Sequence, residues 1–159
     1  MQKMFPCLWF DHGKADQAIA FYTSVFPDSK VLSVTKYGDF DPQHEGQTLT
    51  AMLRLAGQEV MILAGGPKFT FSEAVSIMVR CESQQEIDRY WEKLQEGGGQ
   101  ESVCGWLKDR FGFSWQIVPA QLDQWLGDKD PAKVNRVMQA VQKMRKLDMA
   151  AMERAYQGK

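Results

Sequence analysis

The chain has 159 residues, the length of one ordinary domain and enough to bury a hydrophobic core. Hydrophobic residues make up 44% and charged residues 25%, a composition too apolar for a disordered chain. The 19 Lys and Arg residues balance 20 Asp and Glu residues, which gives a formal charge of −1. This balance provides no basic surface for nucleic acid, so we expect no nucleic-acid partner.

The sequence carries no signal for secretion or membrane insertion. Residues 1–6 lack the long apolar stretch of a signal peptide, and no apolar run is long enough to span a bilayer. The cysteines Cys7, Cys81 and Cys104 are odd in number and include no CxxC pair. We therefore expect a cytoplasmic protein with reduced thiols, no disulfide framework and no membrane partner.

The first half of the chain predicts one helix among four strands. Apolar residues at helical spacing between residues 14 and 26 predict an amphipathic helix that ends at Pro27. Glycine and acidic residues predict a solvated loop at 38–46. Apolar runs and alternating patterns predict strands at 5–10, 30–37, 47–55 and 60–64.

The second half predicts a similar succession. A strand at 75–81 leads to a helix that starts at Ser83, where Glu86 completes a capping box. Three glycines at 97–99 end this helix. Residues 101–109 fit short strands ambiguously, and 113–118 predict an apolar strand.

The tail of the chain predicts a further helix. Asp130 followed by Pro131 is a typical helix start, with an N-cap residue and a proline at the first helical position. An apolar stripe runs from Val134 to Met144. We expect this stripe to pack either on its own domain or on a partner subunit.

The two halves of the chain are weakly similar to each other. Cys7 aligns with Ser76 and Tyr22 with Trp91, both at an offset of 69 residues. In the last strands, Met61 aligns with Gln116 at an offset of 55 residues, because the first half has the longer interior. A repeat at this scale predicts two copies of one structural unit.

Two such modules resemble the glyoxalase/bleomycin-resistance, or vicinal oxygen chelate, superfamily. Within it the chain is similar to the PhnB-like proteins, a family labelled 3-demethylubiquinone-9 3-methyltransferase. The segments that carry the resemblance are CLWFD at 7–11, AFY at 20–22, GGP at 65–67, FSEAVS at 71–76, CGWLKDRFG at 104–112 and SWQIVP at 114–119.

The resemblance implies an α+β fold of two βαβββ modules with mixed sheets, followed by a C-terminal helix. It places both modules in a single domain covering residues 1–159. Module one spans 4–66, module two spans 71–119, and a helical tail spans 120–159. We expect the two sheets to face one another around a cavity, and the protein to form a homodimer to which the stripe from Val134 to Met144 adds contact surface.

The resemblance also indicates where a metal would bind. In superfamily enzymes with a divalent metal, the ligands stand near the start of each module's first strand and on its last strand. The aligned positions here are Cys7, Met61, Ser76 and Gln116, none of which is a histidine or a carboxylate. One thiol, one thioether, one hydroxyl and one amide form a poor cage for a divalent ion. We therefore predict no metal and no other cofactor.

The same register identifies candidate site residues. Glu73 is the acidic residue nearest to the expected cavity, which makes it a candidate acid or base. In an alternative interpretation, Cys7 is an inert buried thiol. The tryptophans likewise have an alternative role as core residues. His12 and His44 are expected on the surface. The predicted pocket-lining residues are Cys7, Trp9, Met61, Ser76, Cys104, Trp106 and Gln116.

These residues favour a small-molecule ligand that is uncharged or aromatic. The protein is then a binding protein or a metal-independent enzyme, and the sequence leaves open whether it is catalytic. The alternatives are the S-adenosylmethionine-dependent methyltransferase that the family label suggests, or an atypical metal-dependent lyase or dioxygenase. Methyl transfer ranks last, because the turn at residues 11–14 after the first strand has one glycine rather than a glycine-rich loop.

Overall fold

The computed structural model describes residues 2–159, which form two units. The first unit ends at Phe71, and the second spans Ser72–Lys159. Each unit contains one four-stranded mixed sheet and one helix that packs against it. The predicted α+β class with two βαβββ modules is confirmed. Phe71 lies at the end of the first unit, and its ring contacts that of Phe10 with the centroids 5.3 Å apart.

The sheet of the first unit has the strand order β1-β4-β3-β2. Strands β1 and β4 are parallel, and the other neighbours are antiparallel. The elements are β1 (Cys7–Phe10), α1 (Ala15–Val25), β2 (Lys30–Lys36), β3 (Thr48–Leu55) and β4 (Gln58–Ala64).

Alternation along the strands determines which face of this sheet is buried. Leu8, Leu53 and Ile62 are buried on the face that carries α1, and the helix contributes Ala18 and Tyr22 to the same core. A two-residue turn joins β3 to β4, with positive φ angles at both turn positions, 46° at Ala56 and 87° at Gly57. Turns of this kind match the twist of the flanking strands.

The second unit repeats this topology, with the strand order β5-β8-β7-β6 and β5 parallel to β8. Its helix begins as predicted, since Ser83 Oγ accepts a hydrogen bond of 3.2 Å from Glu86 N. The Glu86 carboxylate accepts one of 2.7 Å from Glu82 N. The elements are β5 (Ser76–Cys81), α2 (Gln84–Gln95), β6 (Gln100–Glu101), β7 (Trp106–Lys108) and β8 (Ser114–Pro119).

The tail contains three helices, α3 (Leu122–Leu126), α4 (Pro131–Val141) and α5 (Met149–Gln157). The predicted helix is α4, and Asp130 caps it by accepting a hydrogen bond from Ala132 N. No helix in residues 2–159 has the length and apolar character needed to cross a bilayer.

The apolar stripe of α4 packs within its own unit. Val137 and Val141 are buried in a cluster that also contains Val118, Trp125, Leu147 and Met152. Val137 and Val141 are therefore not available to a partner subunit, whereas Met138 of the same stripe is 36% exposed. A contribution of the stripe to a dimer interface stays a prediction.

Candidate functional site

Each sheet has one face that its helix does not cover. We call it the exposed face of the sheet, whether or not an individual side chain on it is accessible to solvent. Residues that pair directly between neighbouring strands lie on the same face. On the exposed face of the first sheet, Cys7 pairs with Met61, Met61 with Met52, and Met52 with Ser33. We call these four residues the first-sheet row. Three of its four side chains carry sulfur, so the row has little capacity for hydrogen bonding.

The corresponding row of the second sheet is polar. Ser76 pairs with Ser114, Ser114 with Lys108, and Lys108 with Gln100. These four residues, the second-sheet row, cross all four strands. Beside the row, Gln116 pairs with both Met78 and Trp106 on the same face.

The pairing corrects the register that the sequence repeat predicts. If Cys7 corresponds to Ser76, the residue that corresponds to Met61 is Ser114 rather than Gln116. A shift of two residues leaves the exposed face unchanged. Gln116 Nε2 therefore still reaches Ser76 Oγ, to which it donates a hydrogen bond of 2.8 Å. The structure brings these two predicted residues together and adds Ser114, which sequence reasoning missed.

Ser114 lies in a cavity of about 160 Å³, the second-sheet cavity. Ser114 is 1% exposed, and its Oγ has no hydrogen-bond partner among the residues that the structure describes. An unpaired buried hydroxyl is unusual, because such groups normally find a partner. The cavity is lined by Glu73, Gln100, Glu101, Ser102, Trp106, Leu107, Lys108 and Ser114.

Asp109 fixes the position of Ser114. Its buried carboxylate accepts hydrogen bonds from Phe111 N at 2.8 Å, Phe113 N at 3.1 Å and Trp115 Nε1 at 2.9 Å. Two of these donors belong to the residues on either side of Ser114. The structure shows that the carboxylate organises the whole connection between β7 and β8.

The cavity contains an ion pair between the candidate acid or base and the second-sheet row. Lys108 Nζ lies 2.5 Å from Glu73 Oε1, and the two side chains are 32% and 66% exposed. The hydrogen bond from Lys108 lowers the pKa of Glu73 below its ordinary value. Glu73 is therefore ionised at neutral pH and cannot serve as a proton donor there.

Two of the predicted site residues, Trp9 and Cys7, lie in the first unit. Trp9 Nε1 donates a hydrogen bond of 2.8 Å to Gly66 O, and its ring lies 5.0 Å from that of Phe69. Cys7 is exposed, so the alternative of a buried thiol is wrong. Partial desolvation nevertheless raises the pKa of Cys7, which keeps its thiol neutral at pH 7.

Cys104 was predicted to line the pocket, but the structure places it against the apolar cluster of the tail. Cys104 N and Gly105 N donate hydrogen bonds of 2.8 Å to Met144 O and Arg145 O. Strand β7 begins only at Trp106. The alternation that puts Trp106 on the exposed face therefore does not extend to Cys104.

The two histidines form a stacked pair in the first unit rather than separate surface side chains. Their ring centroids are 3.8 Å apart, and His44 Nδ1 lies 2.9 Å from Asp41 Oδ2. His12 Nδ1 is buried without a partner among the described residues. In residues 2–159, no group of three or more His, Cys, Asp or Glu side chains is arranged to hold a metal ion.

A second, wider cleft of about 990 Å³ lies between α2 and the tail helices. Lys146 Nζ pairs with Asp88 Oδ1 across it at 2.6 Å, and Trp125 and Tyr156 contribute aromatic walls. This cleft contains none of the residues that the sequence singles out for the site. It is a feature of the tail and α2, separate from the exposed face of the second sheet.

The repeated βαβββ topology defines the class of protein: it is a member of the glyoxalase/bleomycin-resistance, or vicinal oxygen chelate, superfamily. Residues 2–118 match the model of the family described as 3-demethylubiquinone-9 3-methyltransferase, and the chain belongs to that family. No curated protein sequence matches the chain significantly.

Solved structures agree with this assignment. A structure described as a 3-demethylubiquinone-9 3-methyltransferase, the PhnB protein of Bacillus cereus, is 37% identical with a TM-score of 0.67, and its whole length matches 75% of this chain. Protein PA1353 of Pseudomonas aeruginosa is 20% identical with a TM-score of 0.63, over 75% of this chain and 98% of that one. The fosfomycin resistance protein FosX of Listeria monocytogenes is 13% identical with a TM-score of 0.55, over 79% and 97%. The last two show the fold alone.

The FosX structure contains Mn(II), which raises the question of whether this chain could hold such an ion. With the corrected register, the positions that the resemblance implies for ligands are Cys7, Met61, Ser76 and Ser114, which carry a neutral thiol, a thioether and two hydroxyls, with the Gln116 amide beside them. The amide of Gln116 is also engaged with Ser76. These donors do not fit a divalent cation, which favours carboxylates or imidazoles.

Proposed function

We propose that this protein binds an uncharged, partly aromatic small molecule on the exposed face of its second sheet, without a metal or other cofactor. The observation that carries the proposal is the unpaired Ser114 hydroxyl, which is buried beside Trp106 in the second-sheet cavity. A cavity of about 150 Å³ is enough to hold a benzene ring. The 160 Å³ here matches one ring with a small substituent.

The charges of the cavity favour a neutral ligand. Lys108 pairs with Glu73 at 2.5 Å, and Arg145 lies 3.7 Å from Glu101. Each ionised group that lines the cavity therefore has an oppositely charged neighbour. A charged ligand would have to displace one of these partners, whereas a neutral ligand leaves both pairs intact.

Among the functions open to this fold, binding has more support than catalysis. Proton transfer needs a group with a pKa near the working pH. Glu73, the candidate acid or base, has its pKa lowered by Lys108 and is mostly exposed. A metal-independent enzyme is the alternative form of this proposal.

The family label alone does not support methyl transfer. Each sheet has four strands in mixed orientation, unlike the doubly wound parallel sheet that binds nucleotide cofactors at a glycine-rich turn. We expect calorimetric titration with S-adenosylmethionine to show no binding in the micromolar range. A dissociation constant near about 1 μM would revive the label.

The proposed function is tested by two-dimensional NMR of the nitrogen-labelled protein with benzamide as a neutral probe. Benzoate and benzylammonium, which have the same ring but opposite charges, serve as controls. We expect benzamide to shift the Trp106 indole and Ser114 amide signals saturably, with weaker effects from both ions. Saturable shifts from the ions alone, or shifts confined to residues outside the second sheet, would contradict the proposal.

We also propose that the protein is a cytoplasmic homodimer. The three free thiols support a reducing compartment.

Strand β2 is an edge strand whose residues are all exposed, including Val31 at 47% and Val34 at 45%. Exposed apolar edges favour association. Light scattering should show a dimer at micromolar concentration, and Val34→Lys should shift it toward the monomer.

A further inference from the structure

We infer that Ser114 and Lys108 together bind the carbonyl oxygen of the ligand, so that the ligand is a neutral aromatic carbonyl compound such as an aryl ketone, aldehyde or amide. The inference rests on the proposed function and specifies its ligand class.

Ser114 provides the first donor. Its neighbour Ser76 already accepts a hydrogen bond from Gln116, whereas Ser114 Oγ has no partner among the described residues and Ser114 is 1% exposed. Leaving a buried hydroxyl unpaired destabilises the folded protein. An external molecule that enters the cavity can supply the missing partner.

Lys108 provides the second donor. It pairs directly with Ser114 across the ladder, so the two side chains start about 5 Å apart on one face. The ammonium group has three hydrogens, and the Glu73 carboxylate uses one of them. The remaining hydrogens can point at the same acceptor as the Ser114 hydroxyl.

Two converging donors select the chemistry of the acceptor. A carbonyl oxygen has two lone pairs and accepts both hydrogen bonds, whereas a neutral amine has one lone pair and an ammonium group has none. A carboxylate on the ligand would compete with the Glu73 carboxylate, which already pairs with Lys108 and lines the cavity. A neutral carbonyl satisfies both donors without disturbing the ion pair.

Trp106 provides the surface for the aromatic ring. It lies two residues before Lys108 on β7, on the same exposed face. Side chains two apart on a strand are separated by about 7 Å, a distance that one ring and its carbonyl group span. A ring in contact with Trp106 therefore directs its carbonyl toward Lys108 and Ser114.

The experiment compares acetophenone with α-methylstyrene, which has nearly the same shape but a methylene group in place of the carbonyl oxygen. Binding to the full-length protein is followed by NMR shifts of Trp106. The carbonyl stretch of carbon-13-labelled acetophenone reports its hydrogen bonds. We expect wild type to bind acetophenone about tenfold more tightly than α-methylstyrene, with the stretch moved to lower frequency.

Variants assign the two donors. Ser114→Ala and Lys108→Met should each weaken acetophenone binding about fivefold to tenfold, reverse part of the infrared shift and leave α-methylstyrene unaffected. Ser33→Ala, in the first-sheet row, is the matched serine control and should change nothing. Ser114→Ala should also leave the melting temperature unchanged or raise it, because the hydroxyl has no partner to lose.

The possible failures are distinguishable. Equal affinity for the two probes in wild type, with Trp106 perturbed by both, would overturn the carbonyl inference and leave the proposed function standing. A clear fall in the melting temperature of Ser114→Ala would show that its hydroxyl has a partner within the protein, which also overturns the inference. If neither probe perturbs the second sheet, both the proposed function and the inference are wrong.

Discussion

The two units share a topology but differ in the chemistry of their exposed faces. In both, a parallel pair of strands continues into antiparallel neighbours in the same order. The first-sheet row presents a thiol, two thioethers and one hydroxyl, whereas the second-sheet row presents two hydroxyls, an ammonium and an amide. The two units therefore share a topology while their exposed faces carry different side-chain chemistry. The second unit is the one equipped to form directional hydrogen bonds with a ligand.

The units also differ in how they connect their last two strands. Two residues suffice in the first unit, where Ala56 and Gly57 adopt positive φ angles. The second unit uses residues 109–113 and gathers three hydrogen-bond donors around the Asp109 carboxylate. The longer connection holds Ser114 at the start of β8, and so the candidate site depends on the buried hydrogen bonds of this connection.

This difference predicts the largest mutational effect. Asp109→Ala leaves three donors without their acceptor, two of them in fully buried residues, and should lower the free energy of unfolding by about 3 kcal/mol or more. Gly57→Ala in the first-unit turn strains a φ of 87° but meets no atom within 4 Å, so about 1 kcal/mol is expected. Urea unfolding measures both values.

Asp123→Ala is the control for removing a carboxylate, because Asp123 is exposed and pairs with the exposed Arg80. Its effect should stay below about 1 kcal/mol. If Asp109→Ala were no more destabilising than this control, the second-unit connection would not depend on the carboxylate.

The second prediction concerns the first unit. A Cβ atom at Gly65 would lie 2.2 Å from the Trp9 ring, so Gly65→Ala must displace this ring. We expect a loss of about 1–3 kcal/mol and a changed near-ultraviolet circular dichroism spectrum. Gly38→Ala is the matched control, since its nearest contact is an ordinary 3.7 Å. Ligand binding at the second sheet should survive in the folded fraction of both variants. Loss of binding in Gly65→Ala alone would give the first unit a direct part in the site.

Much of the fold was predictable because its signals are local. The capping box at Ser83, the Asp130–Pro131 start of α4 and the alternation in β3 all appear as predicted. Helix α5 was missed, although Asp148 at its N-cap and Gly158 at its C-cap are visible in the sequence. The apolar stripe that predicts the tail helix ends at Met144, whereas α5 begins only at Met149.

The site was harder to predict because it depends on strand pairing. A two-residue slip between β5 and β8 leaves the alternation of side chains unchanged, so no sequence pattern reveals that Ser76 pairs with Ser114. The ion pair between Glu73 and Lys108 was also not predictable from a local pattern, because it joins residues 35 positions apart. Tertiary packing determines pairings of this kind, and the local propensities of the residues do not predict them.

The third prediction is a pH dependence located in the tail. The hydrogen bond from the Tyr156 hydroxyl, then that from Asp130 N, lowers the pKa of Asp128 below its ordinary value of 3.8. The folded state therefore binds fewer protons than the unfolded state. This stabilisation is present above the ordinary pKa and is lost as the pH falls through the folded-state pKa.

Tyr156→Phe should make the fall in melting temperature between about pH 5 and pH 2 shallower, because the pKa of Asp128 returns toward its unfolded value. In an Asp128→Asn background the same substitution should have no further effect on the slope. An unchanged slope in the single variant would contradict the assigned cause of the shift.

The smallest predicted effect is that of chelation. The donors at Cys7, Met61, Ser76 and Gln116 do not fit a divalent ion, so EDTA should leave the melting temperature unchanged. Elemental analysis of protein purified without chelator should show no stoichiometric metal. Zinc, nickel or manganese at one equivalent, or a lower melting temperature with EDTA, would contradict the metal-free account.

The contrast between the two exposed faces is tested most directly by intermolecular nuclear Overhauser effects between acetophenone and the protein. We predict contacts from the ligand ring to Trp106, and from the ligand methyl group to Lys108 and Ser114, in the saturated complex. Contacts to Trp9 and Met61 without any to Trp106 would place the ligand on the first sheet and contradict the central claim, that the second-sheet row provides the hydrogen bonds of the site.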